Sequence, residues 1–373
     1  MVYGSGLENR RTGNGTVGSN PTPPVMSTPW RSSLLVLCAV ATVGRAQPPA
    51  PRVAELPSAA SALLQAVHAV NAQVVWASGH KGTVVRSRDG GRSWERLETP
   101  AGDSLEFRDI HAVHADTAWI LSAGSGPKSR IYRTTNGGAT WRLQFLNADT
   151  AAFYDCFSFG SSTTGVAYGD ASPQRTNILR TEDAGRTWKL LAPTAVPAPL
   201  PGEGAFAASG LCVVHGDANT VYIATGSPGA RIFRSRDGGR RWTTENTPFA
   251  RGISAGLSGL SFADAQRGIA VAGDMNRLRT DSAQSVVGIT TDSGRTWSMR
   301  SRPPRPGALA GVTWVPGAGP GAAVAVGFGG AFYTLDEGRS WTTITTDVTT
   351  GVSAVGRQVW IGGANGKLWR VDF

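Results

Sequence analysis

The chain has 373 residues, of which 40% are hydrophobic and 17% are charged, with 48 glycines and 22 prolines. This apolar content is enough for a core and excludes an intrinsically disordered chain. The formal net charge is +10, but many of its arginines recur at equivalent positions of an internal repeat. No single basic patch results, so we expect no nucleic-acid partner.

The first residues of the chain fit no targeting class. Residues 1–25 show no apolar periodicity, which indicates a doubtful upstream extension rather than a folded or targeting segment. Translation can start at Met1 or at Met26, and the pattern favours Met26.

Residues 26–46 have the pattern of a secretory signal peptide. Arg31 supplies the positive charge, residues 34–43 form a short apolar run, and Gly44 and Ala46 are small residues that precede a cleavage site. The run is too short to span a membrane. We therefore expect an exported protein, periplasmic or extracellular, whose mature part has no transmembrane segment.

Two cysteines, Cys156 and Cys212, remain after this processing. They are too few for a disulfide framework, and by themselves they cannot form a zinc site. They occupy similar places in neighbouring repeats. One disulfide bridge and two buried free thiols are both compatible with the sequence.

One octapeptide recurs six times in register. Each copy has a Ser or Thr, an Asp or Asn two residues later, a Gly, and a final Trp, at 87–94, 134–141, 181–188, 235–242, 290–297 and 334–341. The acid or amide can accept hydrogen bonds from the backbone of a tight turn. The Gly supplies positive φ, and the Trp can pack between sheets.

Sixfold repetition indicates a structural role for these residues, because a catalytic or Ca²⁺ site has no use for six copies. The structural residues of the octapeptides are Asp89, Trp94, Asn136, Trp141, Asp183, Trp188, Asp237, Trp242, Asp292, Trp297, Asp336 and Trp341.

Short apolar strands surround each octapeptide. In the first unit they lie at 64–70, 74–77, 83–86 and 94–98, and turn signals separate them. Four short strands form the unit of a propeller blade. Similar second strands recur at 117–121, 165–168, 221–224, 269–272, 323–326 and 358–361.

A seventh unit after Trp341 ends one strand short, and residues 52–56 resemble its missing outer strand. The sequence therefore predicts one all-β domain at 47–373. It is a seven-bladed β-propeller of four-stranded antiparallel blades, closed by an N-terminal strand. Closure of this kind hides edges that would otherwise promote aggregation.

The long irregular segments of the chain all belong to one face of such a propeller. They connect one blade to the next, or the second strand of a blade to its third, and lie at 189–208, 243–257, 273–287 and 300–309. Loops on a rigid scaffold commonly carry binding sites. The candidate binding residues of this face and of the channel mouth are Arg108, Asp109, Tyr154, Asp155, Asp170, Arg175, Glu203, Phe206, Ser209, Asp274, Asn276 and Arg277.

These polar groups can bind a ligand, or they can hydrogen-bond to one another around a water-filled channel. The sequence is compatible with both arrangements. The five histidines show no ligand spacing, and His111 and His114 are three apart on a predicted strand, so their side chains point to opposite faces. We assign no catalytic, cofactor-binding or metal-ligating residue.

The octapeptides are Asp-box (BNR) repeats, and the blades resemble those of the Ycf48/HCF136-like propellers over roughly residues 50–373. The resemblance is carried by Val-Trp-Ala-Ser-Gly at 75–79 and Val-Trp-Ile-Gly-Gly at 359–363. Founding members are photosystem II assembly factors that hold a membrane-protein partner through an Arg-rich surface. Segments 153–155 and 202–210 are similar to an exported bacterial branch, of which some members are labelled oxidoreductase.

This resemblance and the lack of a catalytic constellation favour a non-enzymatic binding or assembly scaffold. We expect a monomer whose loop-rich face and channel mouth hold an envelope protein, or a small ligand in the channel, without a cofactor.

Two enzymatic alternatives remain. A sialidase-like glycoside hydrolase would use Tyr154, Glu203, Asp155 and Arg108, although the Arg-Ile-Pro segment typical of sialidases is absent. A cofactor-dependent oxidoreductase would need a Gly-rich loop between a strand and a helix, and none is present.

Overall fold

The chain is built from β-sheets. In the computed structural model, which describes residues 50–172 and 175–373, the strands form seven four-stranded antiparallel sheets. The predicted extension at 1–25 and the predicted signal peptide at 26–46 lie outside the described residues. Consecutive strands are neighbours within each sheet, which is the order of a propeller blade.

Strand β1 (Arg52–Leu56) comes first, and the blades follow, each running from its innermost strand outward. Blade 1 contains β2 (Leu64–Ala69), β3 (Val75–Gly79), β4 (Val84–Ser87) and β5 (Glu95–Arg96). Blade 2 contains β6 (Phe107–Ala112), β7 (Ala118–Ser122), β8 (Arg130–Thr134) and β9 (Arg142–Leu146). Blade 3 contains β10 (Tyr154–Phe159), β11 (Gly165–Ser172), β12 (Arg175–Thr181) and β13 (Lys189–Leu190).

The remaining blades have the same order. Blade 4 contains β14 (Val213–His215), β15 (Val221–Ala224), β16 (Arg231–Ser235) and β17 (Thr243–Asn246). Blade 5 contains β18 (Ala255–Phe262), β19 (Gly268–Asp274), β20 (Val287–Thr290) and β21 (Ser298–Met299). Blade 6 contains β22 (Leu309–Trp314), β23 (Ala323–Gly327), β24 (Gly330–Thr334) and β25 (Thr342–Thr345). Blade 7 contains β26 (Thr349–Val355), β27 (Gln358–Gly363), β28 (Leu368–Asp372) and, outermost, β1.

The ring is closed by strands from both ends of the described chain. Strand β1 pairs antiparallel with β28, from Arg52 opposite Asp372 to Leu56 opposite Leu368. The innermost strand of each blade contacts that of the next, including blade 7 with blade 1. The predicted seven-bladed all-β propeller, closed by an N-terminal strand, is confirmed.

The core lies between neighbouring blades. Each second strand is covered on both faces by the adjacent sheets, so its residues are apolar without alternation. Every residue of β3 is buried, and Trp76, Trp119 and Trp360 are at most 1% exposed. These aromatic side chains supply much of the area buried between sheets.

The octapeptides form the turns between third and fourth strands. In the first copy the carboxylate of Asp89 accepts hydrogen bonds from the Ser93 N–H at 2.9 Å and the Ser93 hydroxyl at 2.6 Å. The Ser87 hydroxyl accepts from the Gly91 N–H at 2.8 Å and donates to Asp89 at 2.9 Å. The turn backbone is therefore satisfied by its own side chains.

Two consecutive residues of each turn have positive φ. The second is Gly in all six copies, for example Gly91 at +93°, where a Cβ would meet Leu56 of β1 at 2.7 Å. The first is Ala184, Ser293 or Glu337 in three copies. The octapeptide therefore needs Gly at the second of these two positions, whereas other residues are tolerated at the first.

The tryptophans of the octapeptides belong to the turns more than to the strands. Trp94 donates its indole N–H to the Gly91 carbonyl at 3.2 Å, so the fourth strand begins at Glu95 rather than at 94 as predicted. Trp242 and Trp297 are buried, at 7% and 8% exposed, whereas the other four are half-buried.

Helical structure in the described residues consists of short 3₁₀ turns, at Gly102–Ser104, Gly126–Lys128, Pro193–Ala195 and Ala364–Gly366. Among these residues there is accordingly no helix of the length and hydropathy that a membrane crossing requires.

Candidate functional site

β-Bulges at the start of the innermost strands present side chains to one mouth of the channel. The pairing of innermost and second strands shifts register in six of the blades, and in blades 1, 2 and 3 the bulged residues are Gln65, Arg108 and Asp155. A bulge bends its strand and re-aims the side chain. All three side chains line one cavity of about 600 Å³.

Residues 204–211, which we call the plug segment, cross the channel below this cavity. The side-chain amide of Gln65 in blade 1 donates to the Ala208 carbonyl at 2.6 Å. The Ser209 hydroxyl donates to the Ala310 carbonyl of blade 6 at 2.8 Å, and the Leu260 N–H of blade 5 donates to the Leu211 carbonyl at 2.9 Å. These bonds hold the segment against blades 1, 5 and 6, whereas the chain on either side of it belongs to blades 3 and 4.

The disulfide between Cys156 and Cys212 fixes the end of the plug segment. It joins the innermost strand of blade 3 to the residue that follows the segment, with the two Cα atoms 5.8 Å apart. Of the two possibilities that the sequence left open, the structure therefore contains the bridge. Because Cys156 directly follows Asp155, the same strand carries both the anchor and a cavity residue.

The cavity has polar groups at its base and apolar groups at its rim. Asp155, Asp170 and Arg108 line the base. The apolar residues that line it are Leu63, Phe153, Phe206, Ile253, Met275, Leu278 and Phe328, together with alanines of the plug segment. Of these, Ile253 is 91% exposed. All of the rim residues come from connections between blades or between second and third strands, the loop face that the sequence predicted.

The carboxyl groups of Asp155 and Asp170 face each other at the base of the cavity. Asp155 is 2% exposed, and burial together with the nearby Asp170 raises its pKa well above the ordinary value. Burial also raises the pKa of Asp170, to about 6. Two buried carboxyls this close together cannot both ionise easily, so near neutral pH the pair holds one proton.

One oxygen of this pair lacks a donor. Asp155 Oδ2 is buried and has no hydrogen-bond donor among the described residues, whereas Asp170 Oδ1 accepts from the Ala205 N–H at 3.1 Å. A buried carboxylate oxygen normally accepts at least one hydrogen bond. The pair therefore has unused acceptor capacity, and both of its residues line the cavity.

The basic groups around the pair are already occupied. Arg108 donates from Nε and Nη2 to Glu106 Oε2, at 2.9 and 2.5 Å. His80 Nε2 lies 3.0 Å from Gln65 Oε1, and burial lowers the pKa of His80. With His80 neutral and Arg108 balanced by Glu106, the base of the cavity has one net negative charge.

Glu203 is held in an internal ion pair. Its carboxylate accepts from Arg231 Nε at 2.7 Å, from the Thr225 hydroxyl at 3.2 Å and from the Leu200 N–H at 3.0 Å. The side chain is 1% exposed. Arg231 lies on β16, so this pair ties the start of the plug segment to blade 4.

Asp109 also faces the plug segment. Asp109 accepts from the Phe157 and Ile110 N–H groups, each at 2.7 Å, and burial raises its pKa well above the ordinary value. A Cβ at Gly210, where φ is +79°, would lie 2.2 Å from Asp109 Oδ1. Only a glycine fits at this crossing.

The other predicted residues lie on or near the rim. Tyr154 packs edge-on against Phe145 at 5.1 Å, and burial raises its pKa to about 12. Arg175 donates to Asp149 at 3.4 Å. Asp274 accepts from the Ser254 hydroxyl at 2.7 Å and from the Asn276 N–H at 3.0 Å, and Arg277 is 3.8 Å from it.

The cavity therefore combines four of the predicted residues, Arg108, Asp155, Asp170 and Phe206. Their role in binding stays a prediction. The sequence did not indicate the contribution of Gln65 and His80, which follow from a bulge and from the β3–β4 turn respectively.

Three histidines that are far apart in the sequence lie close together in the structure. The rings of His68 and His111 are 4.4 Å apart, and His215 Nδ1 is 3.1 Å from the Ser158 hydroxyl. Burial lowers the pKa of His68 and of His215 to about 4 and that of His111 well below its ordinary value. Within the described residues, no group of three or more His, Cys, Asp and Glu side chains is placed to hold a metal ion.

The chain matches no known family model and no curated protein in sequence. Its fold is similar to solved structures. One is Ycf48 bound to a D1 peptide, with a TM-score of 0.62, 16% identity, and 87% of this chain and 97% of that chain covered.

Two enzymes have similar folds. Virginiamycin B lyase from Staphylococcus aureus has a TM-score of 0.65 and 15% identity, with 87% of this chain and 99% of that one covered. An ancestral GH74 enzyme has a TM-score of 0.63 and 14% identity, with 84% of this chain and 46% of that one covered. At such identities the likeness concerns the fold alone. The chain therefore has a Ycf48-like propeller fold, which it shares with binding proteins and with enzymes.

Proposed function

We propose that the chain is an exported, non-enzymatic binding protein that holds a segment of a protein partner in the channel-mouth cavity. The observation that carries this proposal is the cavity itself, whose apolar rim surrounds a buried carboxyl pair. A volume of about 600 Å³ is large enough for several side chains of a bound segment.

The rim favours a polypeptide over a small solute. Ile253 is 91% exposed and Leu278 is 38% exposed, so apolar surface extends outward beyond the cavity. Exposed apolar groups beside a pocket commonly mark a protein interaction site. The similar Ycf48 propeller was solved with a D1 peptide bound to it, which agrees with a peptide ligand for such a propeller.

The disulfide supports export. Structural disulfides form and persist in oxidising compartments such as the periplasm or the extracellular space. The Cys156–Cys212 bridge thus agrees with the signal peptide predicted at residues 26–46.

The geometry does not favour the glycoside hydrolase alternative. The two carboxyls of a glycosidase lie about 5–10 Å apart, to leave room for the sugar or water between them. In this chain Asp155 and Asp170 interact directly, since the nearby Asp170 adds to the effect of burial in raising the pKa of Asp155. The Glu203 carboxylate is held by Arg231, and the Tyr154 ring packs on Phe145.

A pull-down with matched variants tests the proposal. The bait is the protein from residue 47 onward, exposed to a membrane and periplasmic extract of the source cell. One variant bait carries Ile253→Glu at the rim. The control carries Val53→Glu on β1, where the side chain is 46% exposed and lies at the outer edge of blade 7.

We expect a partner that wild type and the Val53→Glu bait recover and the Ile253→Glu bait does not. Recovery of the same proteins by all three baits would place the binding surface elsewhere. Enrichment of no protein by the wild-type bait would count against a protein partner.

A further inference from the structure

We infer that the Asp155–Asp170 pair recognises a cationic side chain, a lysine or arginine within an otherwise apolar segment of the bound polypeptide. This inference rests on the proposed function and specifies its ligand. It starts from Asp155 Oδ2, a buried carboxylate oxygen without a donor among the described residues. Asp155 is 2% exposed and lines the cavity.

The pair keeps one negative charge beside its single proton, so a ligand that carries a positive charge and donates hydrogen bonds complements it. An ammonium or guanidinium group donates several hydrogen bonds and accepts none, so it can serve both carboxyls together. Hydrogen bonds between charged groups are shorter and stronger than those between neutral groups. A neutral amide or hydroxyl could fill the same place but would leave the negative charge unbalanced.

The charges around the pair offset that negative charge only in part. Glu203 is paired with Arg231. Burial raises the pKa of Asp155 and the nearby Arg108 opposes that rise, but the Arg108 side chain also donates two hydrogen bonds to Glu106. Tyr168, whose buried hydroxyl lies near the carboxyls, has a pKa raised well above its ordinary value by burial and by the nearby Glu203, so it stays neutral. His80 is neutral at about pH 7 and above because its pKa is lowered. One positive charge therefore completes the site.

The walls of the cavity suit the stem of such a side chain. Phe153, Phe206 and Phe328 line the route from the rim to the base. Aliphatic stems of Lys and Arg pack readily on apolar surface while the charged end reaches a polar group. Aromatic faces also attract cations.

The absence of a side chain at Gly226 leaves room for the Phe206 ring, which is part of the aromatic wall of the cavity. A Cβ at this position would lie 2.3 Å from the Phe206 ring, so the phenyl group occupies the space that a side chain would take. The combination of aromatic wall and acidic base thus depends on residues of blades 3 and 4 and of the plug segment.

Titration of the pair makes the binding depend on pH. The pKa of Asp170 is about 6 and that of Asp155 is raised well above its ordinary value. Below about pH 6 the pair gains its second proton and becomes neutral. A cation therefore binds more weakly at about pH 5 than at about pH 8.

The test uses blocked pentapeptides of one scaffold, Phe-Leu-X-Leu-Phe, in which X is lysine, norleucine or acetyl-lysine. Affinities for the protein from residue 47 onward are measured by calorimetry at about pH 8 and about pH 5. We expect the lysine peptide to bind on the order of tenfold more tightly than the norleucine peptide at the higher pH. The preference should shrink at the lower pH.

Substitutions test whether the preference for the lysine peptide depends on the Asp155–Asp170 pair. The double variant Asp155→Asn/Asp170→Asn, which removes the negative charge of the pair, should abolish the preference for lysine, whereas Asp149→Asn, which changes a half-buried carboxylate beside Arg175, should leave it intact. Near-ultraviolet circular dichroism establishes that each variant is folded. Because the comparison is between peptides on one variant, a uniform loss of stability does not imitate the result.

Equal affinity for the lysine and norleucine peptides would overturn the inference while leaving the polypeptide-binding function in place. A lysine preference that survives in the double Asn variant would also overturn it. Hexylamine serves as a separate probe. If it binds with the same pH dependence and no peptide binds, the cation site stands and the proposed polypeptide ligand does not.

Discussion

Glu203 and Arg231 form a buried ion pair that links the plug segment to the third strand of blade 4. Glu203 is 1% exposed and Arg231 is 8% exposed. Arg231 also donates a hydrogen bond to the Ala198 carbonyl at 3.1 Å. Three further groups, the Thr225 hydroxyl, the Leu200 N–H and the Phe233 ring, surround the two charges. The lone carboxylate of a Gly-rich loop in the sequence is therefore a structural anchor of the channel mouth.

Removing one partner of this pair should be costly. We expect Glu203→Ala to lower the free energy of unfolding by about 3–5 kcal/mol, because it leaves the Arg231 charge buried without compensation. The measurement is the shift in the midpoint of denaturant unfolding at constant slope.

An exposed ion pair provides the control for this measurement. Arg88 and Asp116 are 2.9 Å apart, with side chains 53% and 60% exposed, and such pairs contribute little. Asp116→Ala should leave the midpoint nearly unchanged. If the two variants lost the same stability, the anchoring role of Glu203 would be wrong.

The octapeptide acids should make the fold sensitive to strong acid. Hydrogen bonds from Ser93 lower the pKa of Asp89 to about 2. Because the folded pKa lies below the unfolded one, the stabilisation is complete above about pH 4 and is lost as the pH falls through the folded pKa. A loss of stability between about pH 4 and pH 2 is expected.

Two variants of Asp89 separate charge from geometry. The second octapeptide already has Asn136, whose side-chain oxygen accepts from the Thr140 N–H at 3.0 Å and whose amide donates to the Thr140 hydroxyl at 2.9 Å. Asp89→Asn should therefore keep most of the stability at neutral pH and show a weaker acid dependence. Asp89→Ala should lose about 1–3 kcal/mol at neutral pH, since the turn donors lose their acceptor. Equal behaviour of the Asn and Ala variants at neutral pH would contradict this account.

The histidine cluster should cost stability in milder acid than the octapeptide acids do. The folded pKa of His68, about 4, lies below its ordinary value near 6.5, so the unfolded chain binds protons first as the pH falls. Stability is present above about pH 6.5 and declines towards pH 4. For His68 alone the limit is roughly 3 kcal/mol.

Replacement by a side chain that does not titrate isolates this effect. The unfolding free energy of His68→Gln should fall less than that of wild type between about pH 6.5 and pH 4. The buried carboxyls of Asp109, Asp155 and Asp170 have raised pKa values and act in the opposite direction, but they are common to both proteins. His114→Gln, which changes an exposed histidine, should follow wild type. Parallel curves for His68→Gln and wild type would show that burial of this imidazole does not limit stability.

The sequence predicted the blades better than the site. The contacts that form a blade join residues close together in the sequence or repeated along it, whereas those of the site join residues far apart. An octapeptide turn is closed by residues within itself, such as Ser87, Asp89 and Ser93, so its pattern survives in one short window. The closing strand β1 was recognisable because it repeats the outer strands. Both features are local or periodic.

The site depends on contacts that have neither property. Gln65 meets Ala208 across the channel, and although the bulge recurs from blade to blade, no pattern in the sequence marks the partner that Gln65 reaches. His68 and His111 do stand in equivalent triplets, Val-His-Ala at 67–69 and Ile-His-Ala at 110–112. An alignment of the blades, rather than ligand spacing, was the signal that could have found their contact.

Closure of the ring by β1 leads to the last prediction. Removing residues up to Leu56 would leave β28 as the outer strand of blade 7, with the donors and acceptors that now pair with β1 unsatisfied. Leu56 also packs against the core between blades 7 and 1. We expect the truncated protein to have a lower Tm and to self-associate, because an unpaired edge strand invites pairing with another chain.

A shorter truncation gives the comparison. A protein that starts at Pro51 retains all of β1 and should match the Tm of the protein that starts at residue 47 and stay in the same oligomeric state. Thermal unfolding followed by circular dichroism gives the Tm, and light scattering gives the mass in solution. If the protein that lacks β1 were as stable and as monodisperse as the protein that retains it, closure of blade 7 would contribute nothing to stability. The three remaining strands of that blade would then be sufficient to complete the ring.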